Sequence, residues 1–593
     1  TCRALKPFVA LQGESYLGVG THLKYYINEG GGYNDITPIR ETTAAGAVTF
    51  AAVNGSSTLT ITDSNHGASE NDFVTFSGAA SLGGVITAAV LNQEYQVSRI
   101  VSANSFEVVA REVASLNDIT IDGQYTPTPV VANGSDTGNG GGSIVGKYQI
   151  TVGLDTTVAG AGWGAGTWSR GTWGSAANLT AVGDTLRIWS HDNFGEDLII
   201  NVRNGGIYYW DKSTSSAPFA PAVALSDLAG ADPTTPTIAK QVMISDRDRH
   251  VIVFGCDAQD NIGVQDPLLI RFSDQENPLV WSAQATNTAG DLRIGTGSEI
   301  ITAVETRQQI LVFTDKSLHA MQYLGPPFTF GISMLSENIT IASPLAAIAV
   351  DDMVMWMGEQ EFYLYTGQVQ KLPCSVRSYV FNDFNQDQAE KVTAAVNSSY
   401  SEIWWFYPSA TVTNGLMNQD LDKYVVYNYQ EKVWYYGNLA RSAWIDRGIG
   451  QYPIAASLDG YLYYHEFGND DGSVNPPAGI TSYIESSQMS IGAGDNFVLL
   501  SKLIPDVTFD GSSSPSPNVD FTFQTRRFPG SAYDQTTVSD IIRSSTVPVE
   551  QFTDQVRLRM RGRSFALKIQ SDNTGVEWRL GTPRVELRPD GRR

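Results

Sequence analysis

The chain reads as an all-β protein, and three observations carry that reading. Short apolar runs follow one another with Gly, Asn, Asp and Pro between them. No long window keeps the 3.6-residue apolar period of a helix. One strand–turn–strand–turn–strand pattern recurs, most clearly at residues 185–212. There Leu186 and Ile188 alternate with polar neighbours, and 198–202 is a second apolar run. Asn204-Gly205-Gly206 is a tight turn, because these residues accept positive φ. Residues 207–210 then form an aromatic strand. At 593 residues and 42% apolar content, the chain should hold several modules with real cores.

Taken in order, residues 1–41 give three strands and a Gly-rich turn, a first blade-like unit. Composition shifts near Glu41 to short Thr- and Val-rich strands with few aromatics. This predicts a small β-domain inserted at about 42–130, with a Gly/Ser/Asn linker at 133–146, so that the inserted module spans 42–150. Trp163, Trp168 and Trp173 recur at equal spacing in a Gly/Thr/Ser loop. They form either an aromatic interaction platform or a cover folded back on a sheet. Further units follow at 241–281, 300–323, 345–369, 392–437 and 454–467. Each pairs an aliphatic with an aromatic strand across a turn, at a spacing of about 40–60 residues. One such sheet cannot cover both its faces, so the expected architecture is a β-propeller of about six blades, residues 1–41 giving the first and 151–479 the others. Longer strands from about 480 predict a C-terminal β-sandwich over 480–593.

The net charge of −23 argues against a freely diffusing nucleic-acid binder, whose affinity comes from neutralising phosphates. The C-terminal stretch departs from this: from Gln555 onward nine Arg and one Lys face four acids. Arg557, Arg559, Arg561 and Arg563 alternate with Leu558, Met560 and Gly562, which on a strand places four guanidinium groups on one face. That face suits an acidic neighbour, including a second copy of the chain, or a phosphate backbone. The bland alternative is a solvated face with carboxylates on the next strand. Cys2, Cys256 and Cys374 lie far apart, as expected of free thiols. No apolar run approaches the ~18 residues of a membrane span. Thr1 stands where Met would, and a strand follows at once, so residues are expected upstream.

Chemical motifs are weak. Residues 141–148 nearly match a phosphate loop, but Tyr148 replaces the metal-binding hydroxyl and a strand follows instead of a helix. Ser273 to Trp281 is similar to the Asp box of sialidase-like propellers, a structural turn. Asp351, Asp352, Glu359 and Glu361 are the acids from which a glycosidase pair would have to come. Asp383, Asn385 and Asp387 have alternating-oxygen spacing without the Gly and Glu of a calcium loop. The six His are scattered, with no HExxH and no GxSxG elbow. The sequence therefore predicts no catalytic, cofactor or metal site.

Leu17-Gly-Val-Gly-Thr-His-Leu-Lys-Tyr-Tyr, followed by Tyr33-Asn-Asp-Ile-Thr-Pro-Ile-Arg, resembles the opening of tail nozzle proteins of short-tailed bacteriophages. The segments from Leu186-Arg-Ile-Trp to Trp210-Asp, from Arg271 to Pro278, and from Val576 to the C-terminal Arg pair resemble the same group. The resemblance implies a structural virion protein, not an enzyme, with six copies in a ring below the portal and adaptor. It implies retention and conduction of the genomic DNA, and attachment of fibres or a needle. The alternatives are a sialidase- or glycosidase-like propeller enzyme, or a glycan-binding tail lectin using the Trp loop.

Overall fold

Continuous apolar runs build the middle of the larger unit. The computed structural model describes residues 1–113, 128–157, 185–213, 219–326, 328–413, 416–490, 494–526, 528 and 544–591. In it Asp197–Val202, Val251–Phe254, Ile310–Thr314 and Met353–Met357 are strands with both faces covered. Side chains on a strand point alternately to opposite sides, so a run without alternation must be packed on both. The parity follows this rule. Leu198 and Ile200 enter one core cluster, and Ile199 enters the next. Val251 and Val253 share that second cluster, while Ile252 and Phe254 enter a third. Ile310 and Val312 complete the third, and Leu311 and Phe313 open a fourth. Val354 and Trp356 belong to the fourth, Met355 and Met357 to a fifth.

Each run lies in its own antiparallel sheet, and the sheets follow chain order. Their first strands are Cys2–Val9, Trp189–Phe194, Gln241–Ile244, Ile300–Glu305, Ala347–Val350, Thr393–Asn397 and Ala443–Ile445. Six sheets have four strands and the last has three. Cys2–Val9 packs beside both Trp189–Phe194 and Ala443–Ile445, so the succession returns to its start. The closing contact sets Cys2, Leu5, Leu17 and Val19 against Ala443 and Ala456. This succession lies in one unit, Thr1–Leu462, up to the start of its last strand, Leu462–Tyr464. About six units were expected from sequence spacing, residues 1–41 among them; the sheets in this succession number seven among the described residues.

The insert is a separate seven-stranded sheet with its own core, which includes Phe50, Phe76, Tyr95, Phe106 and Tyr148. Its ends are tied together: Ile39–Thr42 pairs with Val145–Gln149. The expected boundary at 42 therefore moves back to 39. The Gly-rich stretch is not a linker. Ala132 and Ile144 are in the insert core, and Gly138 N–H donates to the Leu82 carbonyl at 2.7 Å. Its organiser is Asp136, whose carboxylate accepts N–H bonds from Gly84 (2.8 Å), Ile86 (2.9 Å) and Asn133 (2.8 Å). Lys24 of the first sheet joins ring to insert: its ammonium lies 2.7 Å from Asp35 and 2.6 Å from Glu94 of the insert.

The second unit is Tyr463–Arg593, beginning earlier than the expected 480 because the first pairings, Asp470–Asp471 with Ala478–Gly479, already belong to it. One of its sheets has five strands and includes Asn518–Arg526 and Ser564–Ser571. Another orders Val556–Gly562, Val498–Ile504 and Arg584–Pro589. Leu500, Leu503, Phe521, Phe523, Val556 and Ile569 from these sheets share one core. Asn518–Arg526 alternates buried and half-buried residues along its length, as a strand with one covered face must.

Removing the Asp136 carboxylate leaves buried N–H donors unpaired. Asp136→Ala is expected to lower the insert's stability by about 3 kcal/mol at neutral pH, read by denaturant titration and hydrogen exchange in 39–149. Burial opposes the Asp136 charge, but four N–H donors outweigh it and hold the carboxyl below its ordinary value. A depressed folded value means that stability is present above the unfolded pKa of about 4 and lost as pH falls below it. The variant should flatten that acid limb; an unchanged limb would contradict the assignment.

Candidate interaction surfaces

The first strands of all seven sheets line one cavity of about 300 Å³. Neighbouring first strands are stitched by side chains reaching backbone. Gln241 takes both groups of Ala303, donating to its carbonyl at 2.8 Å and accepting its N–H at 2.7 Å. Asp192 accepts the Ile244 N–H at 2.9 Å, and the Trp444 indole donates to the Val396 carbonyl at 3.0 Å.

The charged groups in and around the cavity are also occupied. Lys6 pairs with Asp192 at 2.6 Å, Arg3 with Asp155 at 2.7 Å, and Lys391 with Asp420 at 2.9 Å. Lys240 pairs with Glu299, and Arg203 donates to the Ile301 carbonyl at 2.8 Å. His191 Nδ1 lies 2.6 Å from the Tyr25 hydroxyl. Desolvation and the nearby Lys6 ammonium push its pKa down to about 3, so it is a poor base near neutrality. Glu305 is pushed the other way, to about 7, by burial and the neighbouring Asp246.

The acids proposed from sequence do not form a hydrolytic pair. Asp351 and Asp352 precede the strand Met353–Met357, and Glu359 and Glu361 follow it. At ~3.3 Å per residue the two pairs are roughly 20 Å apart, beyond the ~5–9.5 Å of glycosidase carboxylates. Asp351 is bound to Arg307 at 2.5 Å and Glu361 to Lys371 at 2.7 Å. Asp383 pairs with Lys423 at 2.6 Å, and Asn385 caps the turn by accepting the Asp387 N–H. Among the described residues no cluster of His, Cys, Asp and Glu could hold a metal ion. The phosphate-loop-like stretch is strand Val145–Gln149, with Tyr148 buried and its hydroxyl donating to Asp63 at 2.7 Å. All three Cys are free.

The Arg-rich stretch is the strand Val556–Gly562. Val556 and Met560 face the core, which turns Arg557, Arg559 and Arg561 outward to an exposed face. Arg563 lies just beyond the strand, and with Arg561 it flanks the Phe497 ring at 5.0 and 4.2 Å. The adjacent strand brings no acid: Lys502 stands opposite Arg557 and Leu499 opposite Arg561. The third strand adds Arg584, Glu586 and Arg588. Glu586 is taken by Arg588 at 2.6 Å and Lys502 at 3.7 Å, and Arg561 is held by Asp590 at 2.5 Å. Arg557, Arg559 and Arg584 have no ion-pair partner among the described residues. Lys502, Arg584 and Arg588 were not singled out from sequence; only the alternation of 584–588 hinted at them. Trp163, Trp168 and Trp173 lie outside the described residues.

No family model matches the chain, and no curated protein matches it. Among solved structures it is similar to the Phage phi92 endosialidase at 10% identity, covering 80% of this chain and 64% of that one, with a TM-score of 0.21. This chain thus spans less than two thirds of the endosialidase chain. It is also similar to a mutant of the Synechocystis apocarotenoid oxygenase at 9% identity, covering 66% and 88%, with a TM-score of 0.27. Likenesses this shallow transfer neither an architecture nor an activity.

Glu305 yields a signed prediction. A carboxyl raised in the folded state contributes stability below its ordinary value of 4.5, and loses it as pH rises through about 7. Glu305→Gln keeps an acceptor for the Asp246 N–H and removes the titration. The Tm of the variant should fall less than that of the parent between about pH 5 and 8. Parallel profiles would show that Glu305 is ordinary.

Proposed function

We propose that this chain is a structural ring component of a short-tailed phage tail, a nozzle in the virion and not an enzyme. On this reading the seven-sheet cycle is a seven-bladed β-propeller and the C-terminal unit a β-sandwich. Six copies surround the DNA path below the portal and adaptor, and carry fibres or a needle.

One observation carries the proposal: segments that bear the family resemblance pack on one another. Gly20 leaves room for Trp189, 2.6 Å from where a β-carbon would stand, and Gly18 does the same for the Tyr25 hydroxyl at 2.5 Å. The Trp189 indole donates to the Thr21 carbonyl at 2.7 Å and meets the Tyr25 ring edge-on at 5.1 Å. Leu17-Gly-Val-Gly-Thr and Leu186-Arg-Ile-Trp are thus two halves of one joint between sheets. Arg271 of a third segment is buried beside Trp281, with its guanidinium 5.8 Å from the indole. A resemblance made of joints is one of architecture, as expected of a structural protein. The acidic charge supports the same reading, since an acidic surface repels DNA and lets it pass without sticking.

Electron microscopy of the native assembly tests this. The expected image is a six-fold ring, with one chain per sector, at the end of a short tail. A chain found only as a monomer of about 64.3 kDa, never in a ring or on a particle, would overturn it.

A further inference from the structure

The sheet formed by Val498–Ile504, Val556–Gly562 and Arg584–Pro589 concentrates charge that the chain elsewhere lacks. Arg557, Arg559, Lys502, Arg584 and Arg588 share its outer region, with Glu586 the acid among them. Phe552 stands in the turn leading into the Arg strand and is 90% exposed. Arg and exposed aromatics are enriched in protein interface cores, whereas Lys-rich, aromatic-free surfaces are typical of solvated faces. Val556–Gly562 pairs on one side only, and Arg on an edge strand also guards against stray strand pairing. That explains charges along the edge, but not Lys502 on the central strand or Arg584 and Arg588 on the far one.

The partner follows from the charge split. Residues 1–462 contain 25 basic and 46 acidic side chains, against 14 and 16 in 463–593. A long polyanion approaching the chain meets a field that is negative overall, which slows association and penalises every phosphate beyond the patch. A second copy offers an acidic surface matched in size, and the same field then favours contact.

We propose that this basic face binds the acidic 1–462 unit of a second copy of the chain, with Arg557 and Arg559 as its unpaired charges and Phe552 as its apolar anchor. The inference rests on the ring reading and names the surface through which copies meet. It makes assembly weaken with salt, because exposed ion pairs are screened over a Debye length of about 8 Å at physiological ionic strength.

The test is the oligomeric state of the full chain by sedimentation velocity across salt, for the parent, Arg557→Glu/Arg559→Glu, Arg557→Gln/Arg559→Gln and Phe552→Ser. Both Arg are exposed and outside the core, so circular dichroism melts should match the parent and exclude misfolding. The parent should assemble at low salt and lose at least about tenfold in association by 0.5 M salt. The Glu pair should abolish assembly at low salt, and the Gln pair and Phe552→Ser should weaken it. If the parent forms rings and the Glu pair forms them equally well, this inference fails while the ring reading stands. If the parent never assembles, both fail. A parallel titration with a 30-nucleotide single strand probes the other polyanion. DNA binding lost in the Glu pair, with self-association unchanged, would overturn the proposal in favour of a phosphate partner.

Discussion

The architecture of the larger unit depends on one contact, the seam where Cys2, Leu5, Leu17 and Val19 meet Ala443 and Ala456. The other junctions join sheets that follow one another in the chain, the first of them reaching across the insert to bring Thr21 to Trp189. This one joins the two ends of the cycle and closes a loop of several hundred residues, at an entropic cost of roughly 5 kcal/mol. It does so with small side chains, whereas other junctions use Trp210, Phe272, Trp356 or Trp405. Without the seam, the first and last sheets would each expose a face built to be covered, and a sheet bare on one apolar face is not stable alone.

The interior chemistry is spent on holding that cycle. Neighbouring first strands belong to separate sheets, and Gln241, Asp192 and Trp444 bridge them by side chain. Arg3, Lys240 and Lys391 are paired with carboxylates, and buried Arg187 and Arg271 donate to backbone carbonyls, because a lone charge removed from water is costly. An axial cavity lined by Arg3, His191 and Lys240 looks reactive as a list of residues, yet each of these is held by a neighbour. On the outside of the second unit, Arg557, Arg559 and Arg584 have no ion-pair partner among the described residues.

Much of the fold was legible in the sequence because it is local. Hairpins such as 198–210 and 353–365 announce themselves by apolar runs broken at Asn-Gly or Gly, and of the four Arg expected on one strand face, Arg557, Arg559 and Arg561 lie on the exposed face and Arg563 beyond the strand. What was not legible depends on pairing over distance. The Gly-rich 133–146 looks like a linker because its organiser is one carboxylate, Asp136, binding loops about fifty residues upstream. The near boundary of the insert was missed because Ile39–Thr42 belongs with Val145–Gln149, not with the strands beside it. Lys502 and Arg584 joined the basic face only once strands more than eighty residues apart were seen side by side. The count of seven sheets was not legible because insertions make the spacing between units irregular.

The closed cycle is the claim on which the rest stands, and hydrogen exchange on Leu17→Ala tests it most directly. Truncating this buried Leu should cost about 2–5 kcal/mol. If the first and last sheets share a seam, amides in Ala443–Ile445 and Ile454–Ala456 lose protection together with those in residues 1–35, while the core of the insert keeps its own. Loss confined to residues 1–35, with 443–456 exchanging as in the parent, would mean that the seam does not close the cycle.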